Sequence, residues 1–188
     1  MAQTRNLLYV TSNQSKYDEA CLVLSEFALE RIDLELPELQ GEAREIVNEK
    51  AKAAYARVGR PLVVEDVAVY CPALSGLPGP YVKDFLKRMG EEGLYRLVHK
   101  LGDTRAEVAC CVAYITADLQ PVVFEGRLSG TLVEPQGGSR FGKYSWNPIF
   151  MPQGHTRTFG AMSMQEQSEI SMRKRALEQL RAYLKAHS

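Results

Sequence analysis

The sequence predicts an α/β fold built on a mixed sheet. Three observations lead there. Short apolar, β-rich runs alternate with segments of helical periodicity. Two longer β-rich stretches, Glu107 to Thr116 and Pro121 to Leu132, lie close enough in sequence to pair as a hairpin. The helical segments are spread among the strands instead of gathered at one end, which argues for helices packed around a sheet.

Leu7-Leu8-Tyr9-Val10 is a short continuous apolar run ending in Thr11-Ser12-Asn13, a buried strand feeding a loop. Tyr17, Cys21, Leu24 and Ala28 then recur at helical spacing. A polar, proline-marked link from Leu36 to Glu42 precedes a second helix with Val47, Ala51, Ala54 and Val58 on one face. Gly59 stands where that helix should stop, and Pro61 opens the next element. Leu62-Val63-Val64 reads as a strand ending on two acids, Glu65-Asp66, with apolar residues resuming at Val67. The cluster Ser75-Gly76-Leu77-Pro78-Gly79-Pro80 is a tight, stiffened loop. Val82 to Met89 and Gly93 to Leu101 are helical, and Asp118 lies near the hairpin turn. From Gly137-Gly138 to Pro152 the chain is loop-like. Ile170 to Lys185 closes it as a helix with Ala176, Leu177, Leu180 and Leu184 on one face.

The 188 residues suit a single domain, 1–188, or two closely joined lobes. With 23 Lys plus Arg against 23 Asp plus Glu, 45% hydrophobic and 24% charged residues, wholesale disorder is excluded. So is a general nucleic-acid coat, because a neutral chain lacks the field that drives binding to phosphate backbones. A local basic pocket for one small anion stays open. No run of 18 apolar residues occurs, and Leu7 to Val10 is too brief for a signal-peptide core. Cys21, Cys71, Cys110 and Cys111 lack metal-ligand spacing and read as reduced thiols of a cytoplasmic protein. His99, His155 and His187 follow no zinc or triad pattern.

Three local features carry chemistry. Adjacent carboxylates at a strand end, Glu65-Asp66, suit Mg²⁺, a hard cation that takes one or two carboxylates and keeps water and substrate phosphate; a solvated turn pair is the plainer reading. Thr11-Ser12-Asn13-Gln14-Ser15-Lys16, between a strand and a helix, combines small polar residues, a helix N-terminus and a lysine, as an anion site does, or is an ordinary capped helix start. Tyr144-Ser145-Trp146-Asn147-Pro148 offers rings to stack on a planar base or to cover the core.

Together with Leu36-Pro-Glu-Leu-Gln-Gly-Glu42, Leu77-Pro-Gly-Pro-Tyr81, Trp146-Asn-Pro-Ile-Phe150 and Ile170-Ser-Met-Arg173, these stretches resemble the inosine-triphosphate pyrophosphatase family from Tyr9 to Tyr183. The resemblance implies an elongated mixed β-sheet with flanking helices, two lobes around a nucleotide-binding cleft, and a homodimer. It implies Mg²⁺-dependent cleavage (Mn²⁺ as a substitute) of a nucleoside triphosphate between the α- and β-phosphates, with no nucleic-acid or membrane partner. By position, Thr11, Ser12, Asn13, Lys16, Lys50 and Lys83 would bind phosphate. Glu38 and Asp66 would hold metal, with Asp66, Glu65 and Lys16 catalytic. Tyr144, Trp146, Asn147, Gln167, Ser171, Met172 and Arg173 would meet the base.

The base-facing positions depart from the family. Asn147 stands where its members carry aspartate, Met172 where they carry histidine and Gln167 where they carry lysine, and Phe141-Gly142 offers a second match to the family's Phe-Gly. Amides both donate and accept, so these changes predict a nonstandard nucleotide substrate with a base preference shifted from ITP and XTP. The alternatives are ordinary ITP, dITP and XTP hydrolysis, or a nucleotide-binding protein of weak turnover.

Overall fold

A computed structural model describes residues 6–37, 39–138 and 144–187. The elements run β1 (Asn6–Val10), α1 (Gln14–Val23), β2 (Ala28–Ile32), α2 (Ala43–Val58), β3 (Leu62–Tyr70), β4 (Pro78–Gly79), α3 (Val82–Lys100), β5 (Arg105–Ile115), β6 (Val122–Leu132), β7 (Phe150–Pro152), α4 (Met164–Ile170) and α5 (Met172–Ala186). Among the described residues the sheet order is β2-β1-β3-β5-β6-β7, with β4 on β3. β1 pairs parallel with both β2 and β3, whereas β4 and β7 pair antiparallel with β3 and β6. Six residues separate β5 from β6, too few for a crossover, so that pair is antiparallel. The predicted α/β class with a mixed sheet is the observed one.

The chain packs as two compact units. Unit 1 gathers Met1–Asp66, Cys110–Gly126 and Arg173–Ser188. Its core holds Leu8, Tyr9, Leu62 and Val63 from the parallel strands, all essentially inaccessible. The expected apolar face of α2 is buried at Val47, Ala51 and Ala54, and Ala176, Leu177, Leu180 and Leu184 of α5 are buried as their spacing requires. Gly59 ends α2 in the left-handed region (φ 67°), where a side chain would be strained. Unit 2 gathers Val67–Ala109 and Arg127–Met172. Its core includes Val69, Leu94, Val98, Ile149, Phe150 and Phe159. The two helices expected between Val82 and Leu101 are present within the span of α3, parted at Gly90, whose φ of 73° no helix accommodates.

Three expectations are corrected. Ala28 is not on the first helix: α1 ends at Val23, and Ala28 opens β2, a sheet-edge strand whose exposed charges Glu30 and Arg31 blunt that edge. The terminal helix expected from Ile170 starts instead at Met172, as α5, because extended backbone at Ser171 (ψ 127°) parts it from a short unforeseen helix, α4. Most consequential, Glu65-Asp66 does not end a strand. β3 continues to Tyr70, so the two acids sit mid-strand.

Candidate active site

Mid-strand placement decides what the two carboxylates can do together. Consecutive strand residues point to opposite faces of a sheet, and the partners of Glu65 and Asp66 follow that rule. The Glu65 side chain is 1% exposed. It accepts from the Tyr9 hydroxyl of neighbouring β1 and from Arg173 Nε at 3.0 and 2.9 Å, and it pairs with Lys16 Nζ at 2.8 Å. Arg173 Nη1 reaches Glu19 at 2.7 Å. Asp66, with 19% of its side chain exposed, instead takes Lys50 Nζ of α2 at 3.0 Å. The two acids therefore do not converge on one ion, as adjacent carboxylates in a turn would.

Burial pushes the Glu65 carboxyl up, but Arg173 and then Lys16 outweigh it and hold it down at about 2. The same ion pair raises Arg173 against the opposing effect of its own burial. Burial, reinforced by Glu65, raises Tyr9, which stays a protonated donor. Glu65 is thus a permanently charged anchor with its lone pairs committed, poorly suited to bind metal or move a proton.

The first helix start is built as an anion site would be. Asn13 caps α1, its Oδ1 accepting from Lys16 N at 3.3 Å, and Thr11 Oγ1 accepts from Asn13 N at 3.1 Å. Ser12 is exposed beside them. Lys16 sits in the first helical turn, where the macrodipole disfavours a cation, and Glu65 supplies the compensation. Unit 1 so holds Thr11, Ser12, Asn13 and Lys16 at the start of α1, with Lys16 and Arg173 on Glu65, and separately pairs Lys50 with the adjacent Asp66. Arg173, read from sequence with the base set, is held here by two acids.

Unit 2 carries the remaining base set and Lys83, which is exposed on the first turn of α3. Trp146 is buried against Phe150, edge-on at 5.6 Å between centroids, and against Phe159 at 5.5 Å, so much of its ring covers the core. Gln167 is buried, its amide donating to the Phe159 carbonyl at 2.6 Å and the Met162 carbonyl at 3.2 Å. Asn147 is 2% exposed, and its Nδ2 is buried without a partner. Ser171 and Met172 are also buried, and Tyr144 is half-exposed. Glu38 and Phe141-Gly142 lie outside the described residues.

No group of three or more His, Cys, Asp or Glu side chains forms a metal cluster among the described residues. Mg²⁺ needs only one or two protein carboxylates beside water and substrate phosphate. Asp66 fits that need: it is partly open, and an ammonium already stands against it where a cation would sit.

A sequence model of the Ham1 family matches residues 7–183. The chain belongs to the Ham1 family. It is 40% identical over 190 residues to a protein of Tuber melanosporum named inosine triphosphate pyrophosphatase, covering 100% of both chains. A Schizosaccharomyces pombe protein of the same name is 39% identical over 99% of this chain and 98% of its own. The fold is shared with a HAM1 protein from Coxiella burnetii, at a TM-score of 0.85 and 23% identity over 97% of this chain and 99% of that one. No helix among the described residues is long and apolar enough to cross a membrane.

Two participants in the charged cluster around Glu65 escaped sequence reasoning. Tyr9 and Glu19 are single polar groups on elements read only for their apolar pattern. The burial of Tyr9 inside an apolar strand was visible, but nothing local showed that its hydroxyl faces Glu65.

Proposed function

We propose that this chain hydrolyses nucleoside triphosphates to the monophosphate and pyrophosphate, with inosine triphosphate and related 6-oxo purine nucleotides as its substrates. What carries the reading is near-full-length identity of 39–40% to proteins named inosine triphosphate pyrophosphatase. The unit 1 geometry agrees with it chemically. The capped start of α1 offers backbone N–H groups, and Lys16 and Lys50 offer ammonium donors, to phosphate oxygens.

Asp66, with Glu38, would hold Mg²⁺, which when bound neutralises phosphate charge as the α–β bond breaks. With Glu65 committed to Arg173 and Lys16, Asp66 is the acid left to orient the attacking water. The base half favours the ordinary substrate over the altered preference expected from the amides. Gln167 spends its donors on its own unit's backbone. The orphan group of Asn147 is a donor, which suits the O6 acceptor of a 6-oxo purine and not a 6-amino group.

The test is pyrophosphate release at fixed Mg²⁺ from ITP, XTP, dITP, GTP, ATP and a pyrimidine triphosphate. ITP and XTP should exceed ATP in kcat/KM by a hundredfold or so, as expected where a buried donor must be satisfied. Equal or better use of ATP would overturn the base assignment. Release of orthophosphate and a diphosphate would overturn the reaction.

A further inference from the structure

Both lysines assigned to phosphate in unit 1 are already occupied. Lys16 Nζ stands 2.8 Å from Glu65 and Lys50 Nζ 3.0 Å from Asp66. Lys16 and Arg173 are matched by Glu65 and Glu19, and Lys50 by Asp66, so each group is balanced within itself. These groups carry no surplus positive charge for a polyphosphate. Yet both lysine side chains remain 20–24% exposed, and an ammonium has three donors, so each can turn one towards a ligand while keeping its acid.

Two roles for the acids are physically distinct. If the pairs only hold α1 and α2 on β3, removing an acid frees a lysine to wander, and anion binding weakens or stays level. If the acids compete with the ligand, removing one unmasks a cation a few ångströms from the phosphates, and binding tightens. At that separation one unmasked charge outweighs the lost order of one flexible side chain.

We propose that Glu65 and Asp66 are internal counter-anions that contest Lys16 and Lys50 with the phosphates, so that the site releases pyrophosphate readily. The proposal rests on the pyrophosphatase reading above. As pyrophosphate leaves, each ammonium returns to a carboxylate already at hydrogen-bond distance, and the emptied site exposes no bare charge.

The experiment is calorimetric binding of inorganic tripolyphosphate and pyrophosphate to the full chain, at low salt and without divalent ions. The last condition matters because Asp66 is also the assigned metal ligand. Asp66→Asn and Glu65→Gln should each bind about fivefold or more tighter than wild type. The gain should vanish when Lys50→Met accompanies Asp66→Asn, and should shrink when Lys16→Met accompanies Glu65→Gln, where Arg173 also loses its counter-charge. Unchanged or weaker binding by Asp66→Asn overturns the proposal, as does an Asp66→Asn gain that survives Lys50→Met. The Asp66 pair is partly exposed, so its variant decides the matter even if Glu65→Gln fails to fold. Hydrolysis of ITP by the wild type is measured separately and bears on the pyrophosphatase reading alone.

Discussion

Replacing Arg173 by methionine isolates the energetic role of the buried charge cluster. Methionine keeps the unbranched stem of α5's first turn but removes the guanidinium from Glu65 and Glu19. Glu65, with 1% of its side chain exposed, is left with Lys16 and Tyr9. Removing one partner of a buried pair costs about 3–5 kcal/mol. Burial raises the Glu65 carboxyl, but Arg173 together with Lys16 and Tyr9 holds it at about 2 against an ordinary 4.5, so Arg173 supplies part of that shift and the other two partners the rest. At roughly 2–4 °C per kcal/mol for a chain of this size, Tm should fall by about 6–20 °C. Urea unfolding at pH 7 should show the loss in the midpoint with an unchanged slope. The pH dependence supplies a second signature. Because the folded carboxyl lies below its ordinary value, its stabilisation is complete above about 4.5 and drains away as pH falls towards 2. Without Arg173 the carboxyl rises and that acid-limb loss shrinks. A cost under about 1 kcal/mol, with the acid limb unmoved, would refute the anchor role.

Other expectations follow from single contacts. Asp66→Asn should lower kcat on ITP by a hundredfold or so with little rise in KM, measured by pyrophosphate release; wild-type turnover would remove Asp66 from the chemistry. Gly130→Ala would place a methyl 2.3 Å from the Met151 carbonyl oxygen across the β6–β7 pair, and chemical denaturation should show a loss of about 1–3 kcal/mol. Cys71, Cys110 and Cys111 are buried, and burial pushes the Cys71 thiol up to about 11. These three should resist a thiol reagent at pH 8 that modifies half-exposed Cys21; rapid labelling of all four would contradict the packing.

The sequence signals that succeeded were periodic or stereochemical. The stripe of Ala176, Leu177, Leu180 and Leu184, the stop at Gly59 and the apolar run into Glu65 each describe one element's own geometry, so neighbours in sequence suffice to read them. Ala28 failed because an edge strand is half-exposed and carries too little apolar pattern to outvote a helical spacing inherited from α1. Glu65-Asp66 failed for a different reason. Charge reads as a strand end unless a buried countercharge awaits it, and Arg173 lies 108 residues away in sequence. Arg173 itself was legible as part of a motif, but the motif did not show that two acids claim its guanidinium. Gln167 was likewise read as a free amide, although carbonyls five and eight residues before it take its donors.

Unit 1 is assembled from three separated stretches of chain, the last beginning at Arg173. During synthesis, β1, β2, α1, α2 and the first half of β3 leave the ribosome long before the segment that carries their counter-charge. Until α5 emerges, Glu65 has no guanidinium, and the surface destined for Leu177 and Leu180 has no cover. The early product is an incomplete core holding an under-neutralised acid, with a parallel strand edge open to other chains. The nascent chain's dependence on chaperones should therefore last until α5 has emerged, and a stop codon before α5 should yield aggregate instead of a smaller, weaker enzyme.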